Sequence, residues 1–221
     1  ELGSRRMRSQ YPATLSDCLE ATKEGSIYGD WIERAQSSGR TQVKLAVHGG
    51  VPVHTFWDLG APLNTVCIYV QVVGREWRII DADIDLDVTL GARVARMKAK
   101  GYNLGHHFIP HDGGQETTTG SDKAAFMAAG LPNIITVPRI PDVWDGIDET
   151  RQVFDDFVFR DCPEVNLALQ RLRAYHFARE NSGGITTDRP VHDINSHVAD
   201  AFRQIGQARA DRTGGRLISS A

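Results

Sequence analysis

Three aspartates, Asp58, Asp112 and Asp200, combine a residue type and a setting that could do metal chemistry. Asp58 closes the run Val53-His54-Thr55-Phe56-Trp57-Asp58-Leu59-Gly60, whose β-branched and aromatic content suits a buried strand. Side chains alternate along a strand, so Val53, Thr55 and Trp57 face one way and His54, Phe56 and Asp58 the other. A carboxylate ending such a strand caps a turn, accepts hydrogen bonds or holds a cation, because burial without a partner is costly. Asp112 repeats the arrangement, since the short apolar run His107-Phe108-Ile109-Pro110 leads into His111-Asp112-Gly113-Gly114. Taken singly, each aspartate also suits a plain turn.

Asp200 belongs to His192-Asp193-Ile194-Asn195-Ser196-His197-Val198-Ala199-Asp200-Ala201-Phe202-Arg203. If this stretch is helical, Asp193, Ser196, His197 and Asp200 share a face, and Val198, Ala201, Phe202 and Ile205 supply a packing surface. Aspartate is a poor helix former, so Asp200 in mid-helix calls for a partner, either a nearby arginine or a metal. Asp193 stands where an N-cap would, and is equally placed for an accessory metal role. Carboxylates drawn together from two strand ends and a helix repel unless cations lie between them. Mg²⁺ and Mn²⁺ prefer such hard oxygen donors. Two ions about 3.5–4 Å apart activate a water and stabilise the leaving oxygen of a phosphodiester without a covalent nucleophile.

The elements that would position these residues follow from hydrophobic periodicity. Strands are expected at about 53–59, Thr65–Val73 and Trp77–Ile84, and their short turns imply an antiparallel meander. A helix over Val88–Lys100, a strand over His107–Pro110, a helix over 121–129 and a strand over Asn133–Val137 come next, the last strand parallel. Helices at roughly 144–159 and 163–179 and a closing helix over Ser196–Ala208 complete the order. Three antiparallel strands followed by α-β-α-β is the order of a ribonuclease H-like domain, an α/β fold with a mixed sheet flanked by helices. In that fold the first and fourth strands are neighbours, which would bring Asp58 and Asp112 together.

Residues 5–50 read as a lead-in, with a capped turn near Ser16–Glu20 and a helix through Tyr28–Ser37. The tail after Ala210 reads as frayed. Glu1-Leu2-Gly3-Ser4 resembles a cloning scar, which would make the chain a fragment of something longer. A composition of 41% hydrophobic and 24% charged residues is that of an ordinary globular chain, and no run spans a bilayer. A net charge of −3 argues mildly against a protein that coats nucleic acid. Three scattered cysteines fit a reducing cytoplasm and suggest neither a disulfide framework nor a zinc site.

Trp57-Asp58-Leu59-Gly60, Ile109-Pro110-His111-Asp112 and His192-Asp193…Ser196-His197…Asp200-Ala201-Phe202-Arg203 together resemble the nuclease domain of tailed-bacteriophage large terminase subunits. The resemblance implies an endodeoxyribonuclease that cuts concatemeric viral DNA during genome packaging. Its implied partners are double-stranded DNA, the terminase small subunit and the portal protein, and its implied setting is the host-cell cytoplasm, with no membrane. Asp58, Asp112 and Asp200 would be catalytic metal ligands for two Mg²⁺ or Mn²⁺ ions, and Asp193 an accessory ligand. His111 and His197 would stand just behind them. Many relatives carry a further aspartate near Leu63-Asn64-Thr65; neutral Asn64 would leave one metal held more weakly. The implied organisation is a lead-in over 1–50 that follows an absent ATPase domain, a nuclease domain over 51–210 and a flexible tail over 211–221. The chain has no Gly-x-x-x-x-Gly-Lys-Ser/Thr motif, so it lacks the phosphate-cradling loop of an ATPase.

Two competing readings are a junction resolvase of the same fold and a non-catalytic module that docks on DNA or the portal. Asp81, Asp83, Asp85 and Asp87 alternate along a strand and read as a solvent-exposed acidic edge. Arg93, Arg96, Lys98, Lys100, Arg171, Arg173 and Arg179 are candidate phosphate contacts or ordinary solvated faces. A hairpin at 180–190 would gate the cleft.

Overall fold

Strand alternation divides the core in two. From β2 (Thr65–Val73), Val66, Ile68, Val70 and Val72 enter one apolar cluster, while Cys67 and Tyr69 enter the other. The same division runs through β1 (Val53–Leu59), which sends Phe56 to the first cluster and Val53 and Trp57 to the second. A computed structural model describes residues 25–59, 65–84, 88–114, 121–179 and 185–209. Ser16–Glu20, Asn64, Asp85, Asp87, residues 180–184 and residues 210–221 lie outside the described residues.

β1 and β2 pair antiparallel, and β2 pairs antiparallel with β3 (Glu76–Ile84). After α2 (Leu90–Ala99), which follows α1 (Gly29–Ser37) in the chain, β4 (Leu104–Ile109) lies parallel to β1. Gly101, at φ +70°, provides the left-handed residue that ends α2. A short 3-10 turn (His111–Gly114) and α3 (Asp122–Ala128) lead to β5 (Ile134–Thr136), parallel to β4. Next come α4 (Val143–Val153), β6 (Phe157–Phe159) and α5 (Pro163–Ala174). β7 (Phe177–Arg179) pairs with β8 (Ile185–Pro190) as a separate antiparallel ribbon, and α6 (Ile194–Arg209) closes the described chain. The main sheet has the order β5-β4-β1-β2-β3-β6. It is the ribonuclease H-like mixed sheet, with antiparallel strands 1–3, parallel strands beyond them and flanking helices.

Five expectations need correction. The helix expected over 144–159 stops at Val153, and Phe157-Val158-Phe159 forms a sixth strand parallel to β3. Its three side chains are buried, an aromatic pattern with the period of a strand. The helix expected to reach 179 stops at Ala174, leaving Phe177–Arg179 to pair with β8. The stretch over 27–35, read as lead-in, supplies Ile27, Tyr28, Ile32 and Ala35 to the first core cluster. Finally, Asp81 and Asp83 are each only 8% exposed, because β3 is an interior strand once β6 covers its edge. Lys100 Nζ lies 2.7 Å from Asp81 and 3.1 Å from Asp83, and the hydroxyls of Tyr102 and Tyr69 donate to the same two carboxylates. Arg93 is likewise fully buried and cannot meet phosphates from the surface.

Candidate metal centre

The parallel pairing of β1 with β4 brings their carboxyl ends to one edge of the sheet, with Phe56 opposite Phe108. Asp58 lies two residues beyond Phe56, and Asp112 lies in the turn that follows β4. Across that edge runs α6, held against the sheet by Val198, Ala201, Phe202 and Ile205 in the first core cluster. Gly206 allows α6 to approach α4 closely, since a Cβ there would stand 2.8 Å from backbone atoms of Thr150. The Gln204 side-chain amide also donates to the Trp57 carbonyl, tying α6 to β1 next to Asp58. A cleft of about 210 Å³ opens at this junction, and Asp58, Asp112 and Asp200 all line it.

The three carboxylates have different surroundings. Asp58 Oδ2 accepts a hydrogen bond from Nδ1 of His197 at 2.8 Å. That carboxylate is the main reason the His197 imidazole holds its proton above the usual range, against the opposing effect of burial. Asp200 is pushed up to about 6, first by burial and also by the nearby charge of Asp58, although it pairs with Arg203 one turn along the helix. Asp112 is exposed at the cleft mouth beside His111, and its charge contributes, after burial, to raising the carboxyl of Asp122.

Asp193 is not among the residues lining this cleft. Its Oδ1 accepts from the backbone N–H of Asn195 at 2.8 Å and of Ser196 at 3.2 Å, which is N-cap geometry for α6. The sequence left N-cap and metal ligand open for Asp193, and the geometry assigns the cap. Asn64 lies outside the described residues. Sequence reasoning missed Asp142, a fourth carboxylate on the cleft wall that also caps α4 by accepting from the Trp144 N–H at 3.0 Å. A Pro-Asp pair before a helix signals a cap and carries no trace of the cleft it faces.

The donor set suits a hard divalent cation. Asp58, Asp112 and Asp200 offer carboxylate oxygens alone, and the raised Asp200 carboxyl marks a negative charge whose arginine partner does not offset its burial. Among the described residues no three His, Cys, Asp or Glu side chains stand at metal-holding spacing. Asp58, Asp112 and Asp200 line one cleft without standing that close together, and Asp200 is paired with Arg203. Among the described residues no helix is long and apolar enough to cross a membrane.

No protein-family model and no curated protein matches the chain. Solved structures do. A large terminase from a thermophilic bacteriophage superposes with a TM-score of 0.60 at 15% identity, over 82% of this chain and 44% of that one. This chain thus spans less than half the length of that relative. The nuclease domain of the P22 large terminase matches with a TM-score of 0.55 at 22% identity, covering 78% of this chain and 89% of that domain. The large terminase nuclease domain from bacteriophage SPP1, with bound Mn, matches at 0.52 and 17% identity, over 72% of this chain and 86% of that one. The class is therefore defined by fold: this chain has the ribonuclease H-like architecture of large terminase nuclease domains.

Proposed function

We propose that this chain is a metal-dependent endodeoxyribonuclease, the nuclease portion of a phage large terminase, acting on double-stranded DNA during genome packaging. The observation that carries this reading is the convergence of Asp58, Asp112 and Asp200 on one cleft at the carboxyl edge of the β1–β4 pair. Structural neighbours with bound Mn and bound magnesium support the choice of cation. Asp58, Asp112 and Asp200 would hold two Mg²⁺ or Mn²⁺ ions. When bound, such ions supply an activated water and charge stabilisation for the leaving oxygen of a phosphodiester.

The chain's own residues prepare that chemistry. His197 donates to Asp58 and fixes the direction of its carboxylate. Arg203 pairs with Asp200 and lines the same cleft, where its guanidinium would be placed to meet a phosphate. His111 lines the mouth beside Asp112. Within a longer subunit, the small subunit and portal would be its working partners.

Nicking of supercoiled plasmid tests the reading. Cutting is expected with Mn²⁺ and not with EDTA, and Asp58→Asn, Asp112→Asn and Asp200→Asn should each abolish it while leaving the circular dichroism spectrum intact. Cutting that persists in a purified single variant removes that residue from the centre. A wild-type protein that binds DNA yet never cuts it is a docking module instead. A strong preference for four-way junctions over linear duplex would indicate a resolvase.

A further inference from the structure

Beside the carboxylate cleft lies a second one, of about 470 Å³, which shares Asp142, Val143, Asp200 and Arg203 with the first as a common wall. Its other walls are of a different kind. Trp144 lines it and is held in plane by stacking on Phe177 of β7, with centroids 5.2 Å apart at 23°. Pro141 and Pro190 add flat apolar surface, and Arg189, exposed at the end of β8, stands with His192 at the rim. A braced indole, proline faces and a rim cation beside a centre that handles phosphodiesters match the parts that hold an unpaired nucleotide. The ring stacks, the phosphate meets arginine, and no base-specific contact is required.

We propose that the Trp144–Pro190 cleft takes one unstacked nucleotide of the strand being cut, with its base against Trp144 and a phosphate on Arg189. The proposal rests on the nuclease reading and adds a requirement to it, that the duplex opens locally beside the cut. Opening costs least at a mismatch, so a mismatched base pair next to the scissile position speeds cutting. Arg203 and Asp200 border both clefts, so a nucleotide seated in one would lie next to the cleft that the carboxylates line.

Binding of a fluorescent oligothymidylate, followed by anisotropy in EDTA, tests the cleft without using the metal centre. Trp144→Leu and Arg189→Gln should each weaken binding by at least about fivefold, the lower end of the loss when a stacking aromatic is removed. Trp144→Phe should recover most of the affinity. Quenching of tryptophan fluorescence by the oligonucleotide should disappear in Trp144→Leu. Arg189 is exposed, so its variant reports even if the tryptophan variant unfolds. In Mn²⁺, the wild type should cut a singly mismatched duplex faster than a matched one, and Trp144→Leu should narrow that difference. Unchanged oligothymidylate affinity in both variants overturns the proposal, and leaves the nuclease reading standing if the wild type nicks plasmid. Failure to nick overturns the nuclease reading, while the binding measurement still decides whether this cleft takes a nucleotide.

Discussion

His197 Nδ1 lies 2.8 Å from Asp58 Oδ2, joining α6 to the end of β1 across 139 positions of sequence. This bond fixes the orientation of the Asp58 carboxylate and the rotation of α6, the helix that also carries Asp200.

Removing that bond should disturb the centre more than the fold. His197→Ala is expected to lower the plasmid-nicking rate by about 10–100-fold, the usual cost of losing a partner that orients a metal-binding group. His197→Asn, whose amide can still donate to Asp58, should keep more activity. Rates for both variants, measured alongside circular dichroism melts, check this. Equal activity in His197→Ala and wild type would rule out an orienting role.

Asp200 should trade stability for function. Its folded carboxyl, at about 6, binds a proton more tightly than the ordinary value of 3.8, so the ionised form opposes folding. That cost is fully present above pH 6 and fades as the pH falls towards 3.8. Asp200→Asn in EDTA at about pH 8 should therefore stabilise the protein, by on the order of 1–2 kcal/mol given its partial exposure, even as it abolishes cutting. Urea midpoints at about pH 8 and pH 5 check the sign, and the gain should shrink at the lower pH. A variant less stable than wild type at both would show that the Arg203 pair dominates.

Gly206 should resist substitution. A methyl group there would stand 2.5 Å from Thr150 Oγ1 and 2.8 Å from that residue's backbone, which cannot yield as a side-chain tip can. Gly206→Ala is expected to cost about 1–3 kcal/mol through overpacking, and to slow cutting because α6 is pushed from the sheet edge. Thermal melts and nicking assays read the two effects separately.

His54 and His107 predict acid sensitivity away from the centre. Burial, and then the neighbouring His106, push each down to about 4 from an ordinary 6.5. The unfolded chain binds protons that the folded one refuses, so stability falls as the pH drops from about 6.5 to 4. The loss is up to about 3 kcal/mol per histidine by the end of that window. His54→Gln should flatten this part of the stability-against-pH curve, measured as urea midpoints from about pH 7 to 4.5. An equally steep curve in the variant would assign the loss to other groups.

Local pattern carried much of this protein. Alternation in Val53–Leu59 and Thr65–Val73 marked two-faced strands, and helical spacing from Asp193 to Asp200 marked the polar face of α6, because side-chain direction is a property of backbone periodicity. The ribonuclease H-like order of elements suggested that Asp58 and Asp112 would meet; Asp58, Asp112 and Asp200 line one cleft, though not at metal-holding spacing. The errors came where neighbours distant in sequence decide. Phe157–Phe159 became a strand because β3 offered it an open edge. Asp81 and Asp83 were buried because Lys100, Tyr69 and Tyr102 arrived from other elements to receive them.

Tertiary structure alone decided the surroundings within the site. For both Asp193 and Asp200 the sequence left a local partner and a metal open; one carboxylate turns back to its own helix's N–H groups and the other borders the cleft. The pairing of His197 with Asp58 and the second cleft around Trp144 have no sequence signature, whereas the contact of Arg203 with Asp200 is the nearby-arginine alternative that helical spacing offered. Periodicity sets which way a side chain leaves its own backbone; what it meets depends on how separate elements pack, and that is settled only when the whole core forms.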